Sequence, residues 1–184
     1  MHQAADRRAS DEVVIRRASP GDLDAVATIE EESFPTPWSR ALLSSEFDQP
    51  GSIYLVSEID GEVVGFVGLW HVMDEGHICT LAVDQGSRGR GLGELLVLAA
   101  LRAATEVGSD AVHLEYRVGN DPAGNLYAKL GFERVGLRRG YYSDTGEDAV
   151  LARIRGLSTP DGQSALREAW RRWEDERGLQ VAVE

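Results

Sequence analysis

The turn Arg88-Gly89-Arg90-Gly91-Leu92-Gly93 lies between the strand-like run Leu81-Ala82-Val83-Asp84 and a long apolar segment with helical character. Such a turn offers several backbone N–H groups at a helix N-terminus, where the macrodipole favours an anion. Glycine leaves the backbone open to close approach. Two phosphate motifs fail on spacing. Counting G-x-G-x-x-G from Gly89 and Gly91 puts Glu94 where the third glycine belongs, and a P-loop needs a Gly-Lys-Ser/Thr that is absent here. A glycine turn that binds nothing remains an equal reading of these residues alone.

His77, Glu115 and Tyr127 are of types that move protons. His77 opens a strand-like run and titrates near neutrality in its ordinary state, so it reads either as a proton-handling group or as a plain strand-end histidine. Glu115 stands between apolar Leu114 and Tyr116, and position alone makes it a solvated strand residue. Tyr127, on the next helical run, reads by itself as a packed aromatic. His71, His113 and the sole cysteine, Cys79, show no ligand spacing with one another or with His77, so no metal is expected.

These residues need a scaffold, and the pattern supplies one. Val13–Ile15 begins a strand, and Ser19-Pro20 starts a helix with buried positions at Leu23, Val26, Ala27 and Ile29. Phe34-Pro35-Thr36-Pro37-Trp38 ends it, and Ser39 caps a second helix running through Phe47. Two strands, Ile53–Ile59 and Glu62–Trp70, meet at Asp60-Gly61, a strong hairpin turn. His77–Val83 is a further strand, followed by the glycine turn and a helix to about Val107. Ala111–Tyr116, a helix over Pro122–Leu130 and strands near Phe132–Gly140 and Asp148–Ile154 complete the pattern. The expected architecture is α/β: a mixed, mostly antiparallel twisted sheet flanked by helices.

Three segments are expected: a polar tail over 1–12, a globular domain over 13–156, and a linker with an amphipathic helix over 157–184. The linker is Ser158-Thr159-Pro160-Asp161-Gly162, the helix is about Gln163–Arg177, and Trp170 and Trp173 form one stripe. That stripe can dock on the body of the domain or on a second copy of the chain.

The chain has 184 residues, of which 42% are hydrophobic, enough for one domain of ordinary size. With 19 basic and 31 acidic residues the formal charge is −12, a field that repels nucleic acid and anionic lipid and attracts basic peptides. Lys129 is the single lysine. One cysteine excludes a disulfide framework. The first dozen residues lack the apolar core of a signal peptide, and the run Leu95–Leu101 is far short of a membrane span. A cytoplasmic protein is expected.

The R-x-x-G-x-G pattern of the turn resembles the pyrophosphate loop of the GNAT (Gcn5-related) N-acetyltransferases, and the resemblance covers about Val13 to Arg155. Gly76–Val83 looks like the coenzyme-side strand of N-terminal protein acetyltransferases. Leu114–Asn120, then Leu126-Tyr127 and Leu130-Gly131-Phe132, look like the second half of that fold. Gly140-Tyr141-Tyr142-Ser143-Asp144 with Gly146-Glu147-Asp148-Ala149 is the most specific stretch. It is similar to the ribosomal-protein alanine acetyltransferase (RimI) type and to archaeal N-terminal acetyltransferases. The Phe-Pro-Thr-Pro-Trp segment is longer than the Phe-Pro-Trp usual in the bacterial type, and 28 residues follow Gly156.

The resemblance implies an acetyl-CoA-dependent transfer to the N-terminal amine of a protein or peptide by direct attack in a ternary complex. It makes Glu115 the candidate base, with His77 an alternative, and Tyr127 the donor to the departing coenzyme sulfur. It places Leu81, Ala82 and Val83 beside the pantetheine arm, Arg88, Gly89, Arg90, Gly91, Leu92 and Gly93 around the pyrophosphate, and Asn120 against the coenzyme. Phe34, Pro35, Tyr141 and Tyr142 would line the peptide groove. Two other functions stay open: acetylation of a lysine or small amine, and a non-catalytic acyl-CoA-binding module.

Overall fold

The computed structural model describes residues 12–184, and the expected tail over 1–12 lies outside them apart from Glu12. Eight strands form one mixed sheet. In chain order they are β1 (Glu12–Arg17), β2 (Ser52–Ile59), β3 (Glu62–Val72), β4 (Glu75–Val83), β5 (Ala111–Arg117), β6 (Glu133–Tyr142), β7 (Glu147–Ile154) and β8 (Gln180–Val183). Across the sheet the order is β6-β7-β5-β4-β3-β2-β1-β8. The β1–β8 and β4–β5 pairs are parallel and the others antiparallel. The helices are α1 (Leu23–Ser33), α2 (Arg40–Phe47), α3 (Leu92–Glu106), α4 (Asp121–Lys129) and α5 (Pro160–Arg177).

Strand alternation divides the interior in two. Tyr54, Val56 and Phe66 pack under α1 and α2 with Val26, Ile29 and Leu43. Leu55, Val67 and Leu69 pack on the other face, against α3. The local starts follow the sequence. Ser39 Oγ accepts the Leu42 N–H at 3.2 Å, and Asp22 Oδ2 accepts the Ser19 N–H at 2.7 Å. Asp60 (φ 54°) and Gly61 (φ 81°) take the left-handed conformations of a tight hairpin turn.

The C-terminal segment departs from expectation. Thr159 Oγ1 caps α5 by accepting the Gly162 N–H at 3.1 Å, so Pro160, Asp161 and Gly162 are the first turn of the helix rather than linker. Pro160 at the first helical position is the same start signal as Ser19-Pro20. α3 is buried nearly all round from Leu92 to Ala104, and α5 covers the side the sheet cannot reach. Trp173 of the expected stripe is 0% exposed inside its own chain, so it is not available to a second copy. Past the left-handed Gly178, β8 pairs with β1 and makes Glu12 a strand residue through its register with Gln180. Four residues ending at the chain's last positions carried no readable alternation. No helix among the described residues is long and apolar enough to cross a membrane.

Candidate active site

The site begins where β4 and β5 part. They pair in parallel from Glu75↔Ala111 only to Ile78↔Leu114. Beyond that point β5 continues to Arg117 against β7, and β4 continues to Val83 against β3. The facing edges of Cys79–Val83 and Glu115–Arg117 have no strand partner among the described residues. Cys79 is the extra residue of a bulge, since Gly68 pairs with Thr80 and Leu69 with Ile78. The bulge lets His77 and Thr80 share one face while Leu81 and Val83 turn toward α3.

His77 and Glu115 meet at the apex of this cleft. His77 Nε2 lies 2.6 Å from Glu115 Oε2, and both side chains are largely buried. The hydrogen bond with His77 lowers the Glu115 pKa, outweighing the burial that would raise it. His113, directly opposite His77 in the register, stacks on it with ring centres 4.6 Å apart and planes 14° apart. Burial lowers the His113 pKa, and the neighbouring His77 lowers it further. Trp70, cross-strand from His77, meets its ring edge-on at 5.8 Å and donates Nε1–H to Glu46 Oε2 at 2.6 Å.

Tyr127 lies on the other face of the sheet. Its ring is 5.4 Å from that of Tyr116, the neighbour of Glu115 that points the opposite way. Burial pushes the Tyr127 hydroxyl up to about 12, so it stays protonated through neutral pH. The cleft therefore separates His77 and Glu115 on one side from Tyr127 on the other. Cys79 is half-buried, with its Sγ–H directed to the Gly68 carbonyl at 3.3 Å, and burial pushes its thiol up to about 12. Such a thiol is not a ready nucleophile.

The glycine turn closes the wide end of the cleft. Gly89 (φ 78°) and Gly91 (φ 80°) are left-handed, which any other residue adopts at a cost. An added Cβ at Gly89 would meet nothing within 4 Å, and one at Gly93 only Leu126 at 3.9 Å, so the backbone is open there. Gly91 differs: its free side is filled by the Arg177 guanidinium of α5, and its carbonyl accepts Trp173 Nε1–H at 2.8 Å. The space expected for an anion at Gly91 belongs to α5. Arg88 turns back, donating Nε–H to the Val83 carbonyl at 3.0 Å and Nη2–H to Ser33 Oγ at 3.1 Å. Arg90 is half-buried and Leu92 is core. Asn120 caps α4, its Oδ1 accepting the Ala123 N–H at 3.2 Å.

On the α1/α2 side, Trp70 links His77 to the loop that follows α1. Phe34 is half-buried against the α1/α2 core and Pro35 is exposed. Trp38 stacks near Trp70 with centres 6.3 Å apart. Glu30, 2% exposed, holds this loop to β4: it accepts the Trp38 N–H at 3.0 Å and the Thr80 hydroxyl at 3.2 Å, and burial raises its pKa. Tyr141 and Tyr142 pack edge to face at 5.1 Å on the β6–β7 hairpin. Arg117 stacks on Tyr142 at 3.9 Å and bonds Asp144 at 2.7 Å and Thr145 at 2.8 Å, anchoring that hairpin to the end of β5.

The structure thus joins His77 with Glu115 and ties the Tyr141–Tyr142 hairpin to the end of β5 through Arg117, while Tyr127 stays on the opposite face. It adds Trp70, His113, Trp38, Arg117 and Arg177, none of which the sequence singled out for a role. Register opposite His77 would have found Trp70 and His113.

A mixed sheet splayed between two parallel central strands, with a phosphate-type turn after the first of them, defines an acetyltransferase fold. The family model for the Acetyltransferase (GNAT) family matches residues 23–132, more than half of the chain, and the chain belongs to that family. It is 34% identical over 160 residues to the N-alpha-acetyltransferase of Sulfurisphaera tokodaii, covering 80% of this chain and 95% of that protein. It is 34% identical over 147 residues to the N-alpha-acetyltransferase RimI of Mycobacterium tuberculosis, covering 77% and 91%. Among solved structures, the ribosomal-protein-S18-alanine N-acetyltransferase of Escherichia coli superposes with a TM-score of 0.73 at 28% identity, covering 78% of this chain and 94% of that one.

Proposed function

We propose that this protein is an acetyl-CoA-dependent Nα-acetyltransferase that acts on the N-terminus of a protein or peptide. The observation that carries the reading is the β4/β5 cleft with the 2.6 Å His77–Glu115 pair at its apex. The unpaired edge of Cys79–Val83 fits a pantetheine arm running beside Leu81, Ala82 and Val83 like an added strand. The open backbone at Gly89 and Gly93 fits a pyrophosphate held by the Arg88–Gly93 turn. The coenzyme supplies an acetyl thioester as the electrophile. The Asn120 amide nitrogen remains for a further contact, its oxygen being used in the α4 cap.

On the other face, Phe34, Pro35, Trp38, Trp70, Tyr141 and Tyr142 form the walls that admit a peptide end. His77 and Glu115 act as one unit: Glu115 stays ionised, holds His77 and stabilises its charged form when it takes the amine proton. The neutral amine nitrogen then bonds to the acetyl carbon, the carbon–sulfur bond breaks, and the second amine proton passes to the departing thiolate to give the free thiol. Tyr127 donates its hydroxyl to the sulfur that leaves. A phenol near 12 is a weaker acid than a thiol of about 8.5, so its main work is a hydrogen bond to the developing thiolate. The raised Cys79 thiol supports direct attack over an acetyl-cysteine route.

Proton demand favours the α-amine. At pH 7 about 10–15% of an α-amino group is neutral against about 0.04% of a lysine amine, so a modest base suffices. The relatives named as N-alpha-acetyltransferases and RimI support the same substrate class, a protein N-terminus. β1 through β8, including α5, form the working unit in this reading. Mass spectrometry of matched peptides with free and blocked N-termini, incubated with acetyl-CoA, tests it.

A further inference from the structure

α5 reaches the glycine turn with two side chains. Trp173 is fully buried, and its Nε1–H bonds the same Gly91 carbonyl that accepts the Leu95 N–H at 3.1 Å in the first turn of α3. One turn later, Arg177 lies on Gly91 itself, so that a Cβ built there would fall inside the guanidinium. Within 4 Å, the one carboxylate partner of Arg177 among the described residues is Glu94, at 3.7 Å. Glu94 is already held by Lys129 at 2.7 Å, and Lys129 also reaches Glu176 of α5 at 3.6 Å. The Arg177 charge is therefore anchored beside the turn but only loosely neutralised.

The turn needs such an anchor. Two left-handed glycines, Gly89 and Gly91, give it backbone freedom that other residues lack. Ordering it upon ligand binding would cost affinity, and a scaffold that orders it beforehand recovers that cost.

Resting on the acetyl-CoA reading above, we propose that α5 is a working part of the coenzyme site. Trp173 and Arg177 are positioning residues that hold Gly91 in the phosphate-binding conformation, and Arg177 sets a positive charge beside the coenzyme's phosphates. The segment after Gly156 thus tunes coenzyme affinity rather than joining two copies of the chain.

Calorimetric titration of the full-length protein with acetyl-CoA, at low and high salt, tests this alongside steady-state kinetics. Arg177→Gln should raise Kd and the acetyl-CoA KM roughly two- to tenfold, the range of one lost hydrogen bond or exposed charge contact. The peptide KM and the kcat at saturating coenzyme should stay within about twofold, and the salt dependence of Kd should flatten. Arg177→Lys should restore both affinity and salt dependence. Trp173→Phe, which deletes the indole N–H, should also raise Kd without flattening the salt dependence. If Trp173→Phe does not fold, the Arg177 pair decides alone. A folded Arg177→Gln protein with wild-type Kd and salt dependence overturns the role of α5 only. A wild-type protein that binds no acetyl-CoA overturns the site and this role together.

Discussion

His77 and Glu115 stand 2.6 Å apart although their strands are paired only as far as Ile78 and Leu114. Glu115 reaches back across the opening cleft to the last paired turn of β4. In the proposed mechanism this puts a proton acceptor and its orienting carboxylate where β4 and β5 part.

If the two act as a unit, Glu115→Gln and His77→Gln should each lower kcat/KM by roughly 10²–10³-fold. The loss should be largest at low pH, where the amine is mostly protonated, and should shrink as rising pH supplies free amine. The double variant should be little worse than either single one, as expected for coupled groups. Unaltered pH–rate profiles in both variants would mean that the amine loses its proton to solvent.

Tyr127 is pushed up to about 12 by burial, so no loss of activity from its ionisation is expected below about pH 10. Tyr127→Phe should lower kcat by about 10²–10³-fold while leaving the acetyl-CoA Kd within about twofold, because ring packing against Tyr116 and Phe132 is kept. Single-turnover rates and calorimetry together check this. An equal loss in binding would assign the tyrosine to the coenzyme pocket instead.

Acid stability should follow Asp22. Arg16 holds its carboxyl well below the usual range through hydrogen bonds of 2.8 Å, and Ser19 adds two more. A lowered carboxyl contributes stability that is complete above about pH 4 and is lost as pH falls toward its folded value. Asp22→Asn should therefore cost about 1–3 kcal/mol at pH 7 and progressively less below pH 4, measured by denaturant unfolding.

Much of the scaffold was legible because its signals are local. Ser39, Asp60-Gly61, the alternation of Val112, Leu114 and Tyr116, and the stop at Gly131 each fix their own element within a few residues. The apolar run Leu95–Leu101 was readable as a helix, but its requirement for cover on two sides points to α5 only once the sheet is known to occupy one of them. β8 has no local signature, since its four residues become a strand through β1. Within the site, His77, Glu115 and the tyrosine pair came from motif likeness. Trp70 and His113 are set by register across three strands, and spacing along one chain does not record register. Gly91 is the instructive case: the motif marks its glycine for phosphate approach, whereas its left-handed φ favours glycine by itself and the Arg177 guanidinium lies where a side chain would project. Trp173 and Arg177 lie more than 80 residues from the turn they hold, so no local pattern could have paired them.

The most direct test of the central claim is a competition between two amines on one peptide scaffold. Peptides with a free N-terminus and no lysine, and the same peptides N-terminally blocked with one lysine added, should be incubated with acetyl-CoA and the purified chain. Mass spectrometry at early times should show acetyl on the free α-amine at a rate at least about tenfold above that on lysine, given the far larger neutral fraction of the α-amine. Equal or faster modification of lysine would contradict an Nα-acetyltransferase.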